Sequence, residues 1–160
     1  MKRKTPTKNV NKFLVEVQNQ QKRIPIVPSR IVRIAQQTLS LMNVRSAVLS
    51  LVFVTDRKIK SLNKTFLNRD HTTDVLAFDL SNDTVSYSGK KRISRLEGEI
   101  IISATTAVRN AGRFDSTPYD ELILYVVHGV LHLLGYDDHD PKEEKRMQKK
   151  QRDIVKRLDI

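Results

Sequence analysis

Three of the chain's four histidines fall in the stretch LYVVHGVLHLLGYDDHD, Leu124 to Asp140. His128 and His132 are four residues apart, so on a helix both imidazoles leave the same face one turn from each other and can reach a single ion. His139 lies beyond Gly135, where the chain can turn back and offer a third ligand. Three protein ligands leave a fourth position for water, the arrangement of a catalytic zinc site. A single buried imidazole is ordinarily satisfied by a backbone carbonyl. Here the only other polar residue from Leu122 to Leu134 is Tyr125, and each buried imidazole needs a partner. The chain has no cysteine, so a metal must be held by imidazole and carboxylate. The glutamate of the H-E-x-x-H metalloprotease pattern is missing: Gly129 stands in its place, which removes that general base and admits close approach of another element.

The elements that must position these groups follow from patterning. The histidine segment reads as a helix opening at Thr117 (N-cap), Pro118 and Asp120, apolar nearly all round from Leu122 to Leu134 and therefore internal, and stopped by Gly135. Asp140 and Pro141 open a last helix with the seam Met147, Gln151, Ile154 and Leu158. Upstream, Phe13, Val15 and Val17 alternate as a strand, and Ser29 is expected to cap a helix through about Met42. Ser46 to Thr55 reads as a strand buried on both faces. Thr55 or Asp56 caps a short helix with Ile59, Leu62 and Phe66 inward. TTDVLAFDL and GEIIISA read as two strands joined by a long polar connection, Ser81 to Arg95, and a helix runs from about Ala104 to Gly112.

The 160 residues suit one domain: a flexible basic arm over residues 1–12, with five basic residues and no acid, and a single catalytic domain over 13–160. No apolar run is long enough to span a membrane, and the N-terminus lacks a signal-peptide core, so a cytoplasmic location without a membrane partner is expected. The net charge of +11 and pI near 10 favour a polyanionic partner through phosphate neutralisation.

HGVLHLLGYDDHD resembles the H-G-x-L-H-L-x-G-Y-D-H motif of the YbeY family of bacterial endoribonucleases. SLNKTFLNRDHTTDVLAFDL is similar to that family's L-N-x-x-(Y/F)-R-x-x-D-x-x-T-D-V-L-S-F segment, and GEIIIS to its G-D-I-x-I-S strand. The resemblance implies a single α+β domain, with a small mixed sheet, about five helices and a metal site on a buried central helix. It further implies one Zn2+ ion and hydrolysis of single-stranded RNA by zinc-activated water in ribosomal RNA maturation, at the 16S 3′ end, and in ribosome quality control. RNA and ribosomal particles are then the partners, and DNA is not expected.

Two departures bear on the site. The family has five residues between its second and third histidines and this chain has six between His132 and His139. Either the loop bulges and His139 is the third ligand, as expected, or Asp138 takes that position. The family arginine falls on Leu67, and Arg69 is the nearest replacement, expected to stabilise charge on the phosphoryl oxygens. Asp137 or Asp138 is expected to orient a ligand histidine or handle a proton, Asp74 to accept hydrogen bonds, and His71 to be a loop residue. Glu99 is either solvent-facing or close to the site. A metal-dependent hydrolase of another substrate and a ribosome-binding protein with a structural metal are the competing readings. The missing glutamate weighs against peptides, and the open fourth position against a structural metal.

Overall fold

The computed structural model describes residues 12–81 and 93–160. The expected basic arm therefore lies outside the described residues except for Lys12, as does most of the connection after Ser81.

Strand β1 (Phe13–Asn19) turns Phe13, Val15 and Val17 inward. Helix α1 (Pro28–Leu41) starts two residues earlier than expected: Val27 is the N-cap, without a side-chain bond, and Ser29 lies inside the helix. Pro28 explains the shift, because its fixed φ suits the first helical position and its missing N–H has no helical partner there. Strand β2 (Ala47–Val54) is central. It is buried on both faces only from Leu51 onward, whereas Val48 is 37% exposed. The cause is helix α2 (Asp56–Leu67), capped by Thr55, which covers one end of the outer sheet face through Ile59 and leaves the other end open. Phe66 does not face inward as expected. It is 63% exposed and meets the Phe78 ring edge-on at 5.7 Å.

Strands β3 (Val75–Asp79) and β4 (Leu96–Ser103) pair antiparallel, completing a mixed four-stranded sheet in the order β1-β2-β4-β3. Ser103 caps α3 (Ala104–Phe114). Thr117 and Asp120 form the expected capping box of α4 (Pro118–Leu133), and Asp140 caps α5 (Pro141–Arg157). The chain is thus an α+β domain of four strands and five helices among the described residues.

Helix α4 is the hub. It packs on α1, α3, α5, β3 and β4, and Leu122, Val126, Val127, Val130 and Leu131 are fully buried. Two glycines let it approach the sheet. A Cβ at Gly129 would lie 2.5 Å from Ile100 Cγ2, and one at Gly98 would lie 2.6 Å from Leu133 Cδ1. The close approach expected at Gly129 is present, and it fixes the height of the histidine pair above β4.

Candidate metal centre

His128 and His132 sit on the half-exposed flank of α4, with side chains 19% and 28% exposed. Their Nε2 atoms are 3.0 Å apart. Each Nδ1 faces an oxygen on the opposite side: His128 Nδ1 is 2.8 Å from Gln151 Oε1, and His132 Nδ1 is 3.1 Å from the Tyr136 carbonyl. A neutral imidazole has one N–H, and donation from Nδ1 leaves a lone pair on Nε2. Burial, with the neighbouring His128, holds His132 below the ordinary histidine pKa and so favours the neutral ring. Two inward lone pairs at this separation repel each other unless a proton or a cation lies between them.

The turn after α4 supplies both the Tyr136 carbonyl and a carboxylate. Gly135 adopts φ 93°, a conformation that strains any L side chain. The Gly135 N–H donates to the His132 carbonyl and the Tyr136 N–H to the Leu131 carbonyl, the paired bonds of a Schellman stop. The chain reverses there, and Asp138 Oδ2 comes to 3.7 Å from both His128 Nε2 and His132 Nε2. Ligand atoms of these three residues all lie within 4.8 Å of one another. Two lone-pair nitrogens and a carboxylate oxygen converging in this way fit a divalent cation such as zinc.

His139, expected as the third ligand, belongs to an adjoining group with Asp137 and Asp138. Its side chain is 72% exposed, and its Nε2 lies 3.4 Å from Asp137 Oδ1. The Asp137 carboxylate also accepts the backbone N–H groups of Asp138 and His139, so it shapes the turn that presents both residues.

A cleft of about 330 Å³ brings the remaining candidates to the same place: Arg69, His71 and Asp74 line it together with His128, His132 and residues 137–139. Asn68, in the left-handed conformation at φ 53°, ends α2 and leads Arg69 to the rim. Leu67, where the family arginine falls, lines the cleft too. Asp74 accepts the Val75 N–H and the Thr73 hydroxyl, as expected of a carboxylate here. The exposed ring of His71 faces the Thr72 carbonyl. Glu99 lies on the outer face of the sheet, beside Phe66 and Phe78 and away from the histidines.

Two residues were not assigned to the site from the sequence. Asn63, 1% exposed, lines the cleft, and its Nδ2 donates to the His71 carbonyl while its buried Oδ1 has no partner. Gln151 reaches His128 from α5. Each is a polar residue inside an otherwise apolar helical stripe, and that was the available signal.

Residues 16–159 match the family model described as Endoribonuclease YbeY. The endoribonuclease YbeY of Syntrophus aciditrophicus is 36% identical over 142 residues, covering 88% of this chain and 86% of the relative. That of Syntrophotalea carbinolica is 34% identical over 149 residues, covering 91% and 95%. The fold is similar to the solution structure of TM1509 from Thermotoga maritima, with a TM-score of 0.58 and 28% identity over 89% of this chain and 87% of that one. The match runs from β1 through the histidine helix to the end of α5, and the chain belongs to the Endoribonuclease YbeY family.

Proposed function

We propose that the chain is a zinc-dependent, single-strand-specific endoribonuclease that acts in the cytoplasm on ribosomal RNA, at the 16S 3′ end, and in ribosome quality control. The observation that carries the reading is the facing pair of imidazole Nε2 atoms, 3.0 Å apart, with each Nδ1 committed to an oxygen. Membership of an endoribonuclease family supplies the substrate class. Among the described residues no helix is long and apolar enough to cross a membrane.

His128 and His132 would hold the ion through Nε2. The third ligand would come from the Asp138–His139 step. His139 would make the neutral three-imidazole set expected from the spacing, whereas proximity supports Asp138, which makes the site one unit more negative. When bound, zinc polarises a phosphoryl oxygen and lowers the pKa of an attacking water.

The chain's own groups do the rest. Arg69, at the rim of the same cleft, donates charge-assisted hydrogen bonds to the non-bridging oxygens as negative charge gathers on them. Asp137, or Asp138 where it is not a ligand, accepts the water's proton or holds the neighbouring imidazole. Exposed basic residues of α5, including Lys145, Arg146 and Lys149, draw the RNA backbone toward the cleft. A small, one-sided cleft admits an unpaired strand, whereas an A-form duplex is held rigid by its partner strand.

The test is cleavage of single-stranded RNA by metal-loaded protein. Internal cuts are expected, chelation should stop cleavage more completely than binding, and paired RNA should resist. The His128→Ala, His132→Ala variant should bind RNA without cutting it. The reading gives way to a ribosome-binding function if loaded protein binds RNA but, alone or with ribosomes, cleaves no more than that variant.

A further inference from the structure

Helix α5 carries a polar residue in the middle of its buried seam. Met147 and Ile154 are 1% and 2% exposed, and Gln151 lies one turn from each on the same face. A glutamine there must find a partner or leave a buried amide unsatisfied. Its partner is a candidate metal ligand: Gln151 Oε1 is 2.8 Å from His128 Nδ1. A second cavity, of about 170 Å³, opens beside this contact and is lined by Gln148, Gln151, Glu144 and Asp74. The back of the imidazole is therefore held by α5, while its front belongs to the cleft.

From this contact we infer that Gln151 is the positioning residue that selects the metal-binding tautomer of His128, an inference that rests on the metal site proposed above. An amide oxygen accepting from Nδ1–H keeps the ring proton on Nδ1 and the lone pair on Nε2, where the ion binds. His132 is held in the same tautomer by the Tyr136 carbonyl, an acceptor fixed by the Schellman turn. The two holders differ in one respect. A backbone carbonyl can only accept, whereas a glutamine amide rotated by half a turn presents N–H instead. In that orientation it donates to a bare Nδ1, the ring proton moves to Nε2, and His128 then donates to His132 Nε2 across the same 3.0 Å. Gln151 thus serves two states: a loaded one, with its oxygen toward the ring, and a metal-free one closed by a His128–His132 hydrogen bond. A carboxylate at this position would stabilise only the first.

The test uses the full-length chain, stripped of metal and titrated with zinc against a chromophoric chelator, with Co2+ absorption reporting ligand geometry. Gln151→Leu removes the acceptor but keeps an apolar seam. It should weaken zinc binding about 10–100-fold, the usual effect of losing an outer hydrogen bond to a ligand imidazole, and should also lower the melting temperature of the metal-free protein, because His128 Nδ1 then loses its partner there too. Gln151→Glu accepts only, so it should bind zinc more tightly than the parent and release it more slowly. If the parent binds no zinc, the metal reading itself fails. If the parent binds zinc and Gln151→Leu binds it equally well, Gln151 is a packing residue and the inference is overturned. Should Gln151→Leu not fold, Gln151→Glu decides: affinity at or below the parent's overturns the tautomer argument.

Discussion

Replacing Gly129 by alanine tests whether the histidine helix is seated by backbone contact with the sheet. The new Cβ would meet Ile100 Cγ2 at 2.5 Å and Ile100 Cδ1 at 3.1 Å. Ordinary carbon contacts are about 3.5–4.0 Å, so helix or strand must yield by about 1 Å. Ile100 is fully buried and has nowhere to swing. Overpacking of this kind costs about 1–3 kcal/mol, against which alanine regains about 0.5–1 kcal/mol of helix propensity over glycine. The expected net loss is about 1 kcal/mol, or about 2–4 °C in Tm for a chain of this size. Ile100→Ala alone should cost about 2–5 kcal/mol by leaving a cavity. In that background the sign should reverse: the Gly129→Ala methyl enters vacated space, only the propensity gain remains, and the change becomes stabilising by up to about 1 kcal/mol. Urea unfolding of the metal-free single and double variants measures the coupling, expected between about 0.5 and 3 kcal/mol, without a bound ion shifting apparent stability. The seating argument is refuted if Gly129→Ala stabilises the parent, or changes stability equally in both backgrounds.

Three further outcomes follow from the geometry. Gly135→Ala, which forces a side chain onto φ 93°, should cost about 1–2 kcal/mol and also lower zinc affinity, since the Tyr136 carbonyl that holds His132 moves with the turn; calorimetry with parallel zinc titration reads both. Asp138→Ala should weaken zinc binding more than His139→Ala, and the reverse order in a competition titration would assign His139 as third ligand. Asp56 is raised by partial burial but held net below the usual carboxylate range by hydrogen bonds from Ser103, Thr106 and Arg109 and by the Arg109 charge. A lowered folded pKa contributes stability that is complete above the ordinary aspartate value and lost as pH falls through the folded one. Asp56→Asn should therefore be less stable than the parent near neutral pH, with the gap closing in acid, and a gap constant with pH would contradict this.

The local steps of the fold were legible because they depend on neighbours in sequence. The Thr117–Pro118–Asp120 start, the Gly135 stop and the Asp140–Pro141 restart are short-range hydrogen-bond and φ requirements, and the His128–His132 spacing fixes a shared helix face. What needed the fold was everything set by elements distant in sequence. Phe66 fits an inward helical stripe, yet it is exposed because α2 covers only one end of the sheet. Val48 sits in a strand that reads as fully buried, but the elements that would cover its outer face are not near it among the described residues. Ser29 had the chemistry of a cap but lies inside the helix, because Pro28 takes the first helical position and leaves Val27 as the cap. At the site, spacing named the histidines, and the family resemblance added Arg69 and the acidic turn as parts of one centre, but neither gave their arrangement. The position of Asp138 before the two imidazoles depends on how the Schellman turn reverses the chain, and the contact of Gln151 with His128 on how α5 docks against α4. The candidate histidine pair follows from residue type and local period. Which atoms hold each imidazole is decided by packing between helices, and that information is spread over residues far apart in the chain.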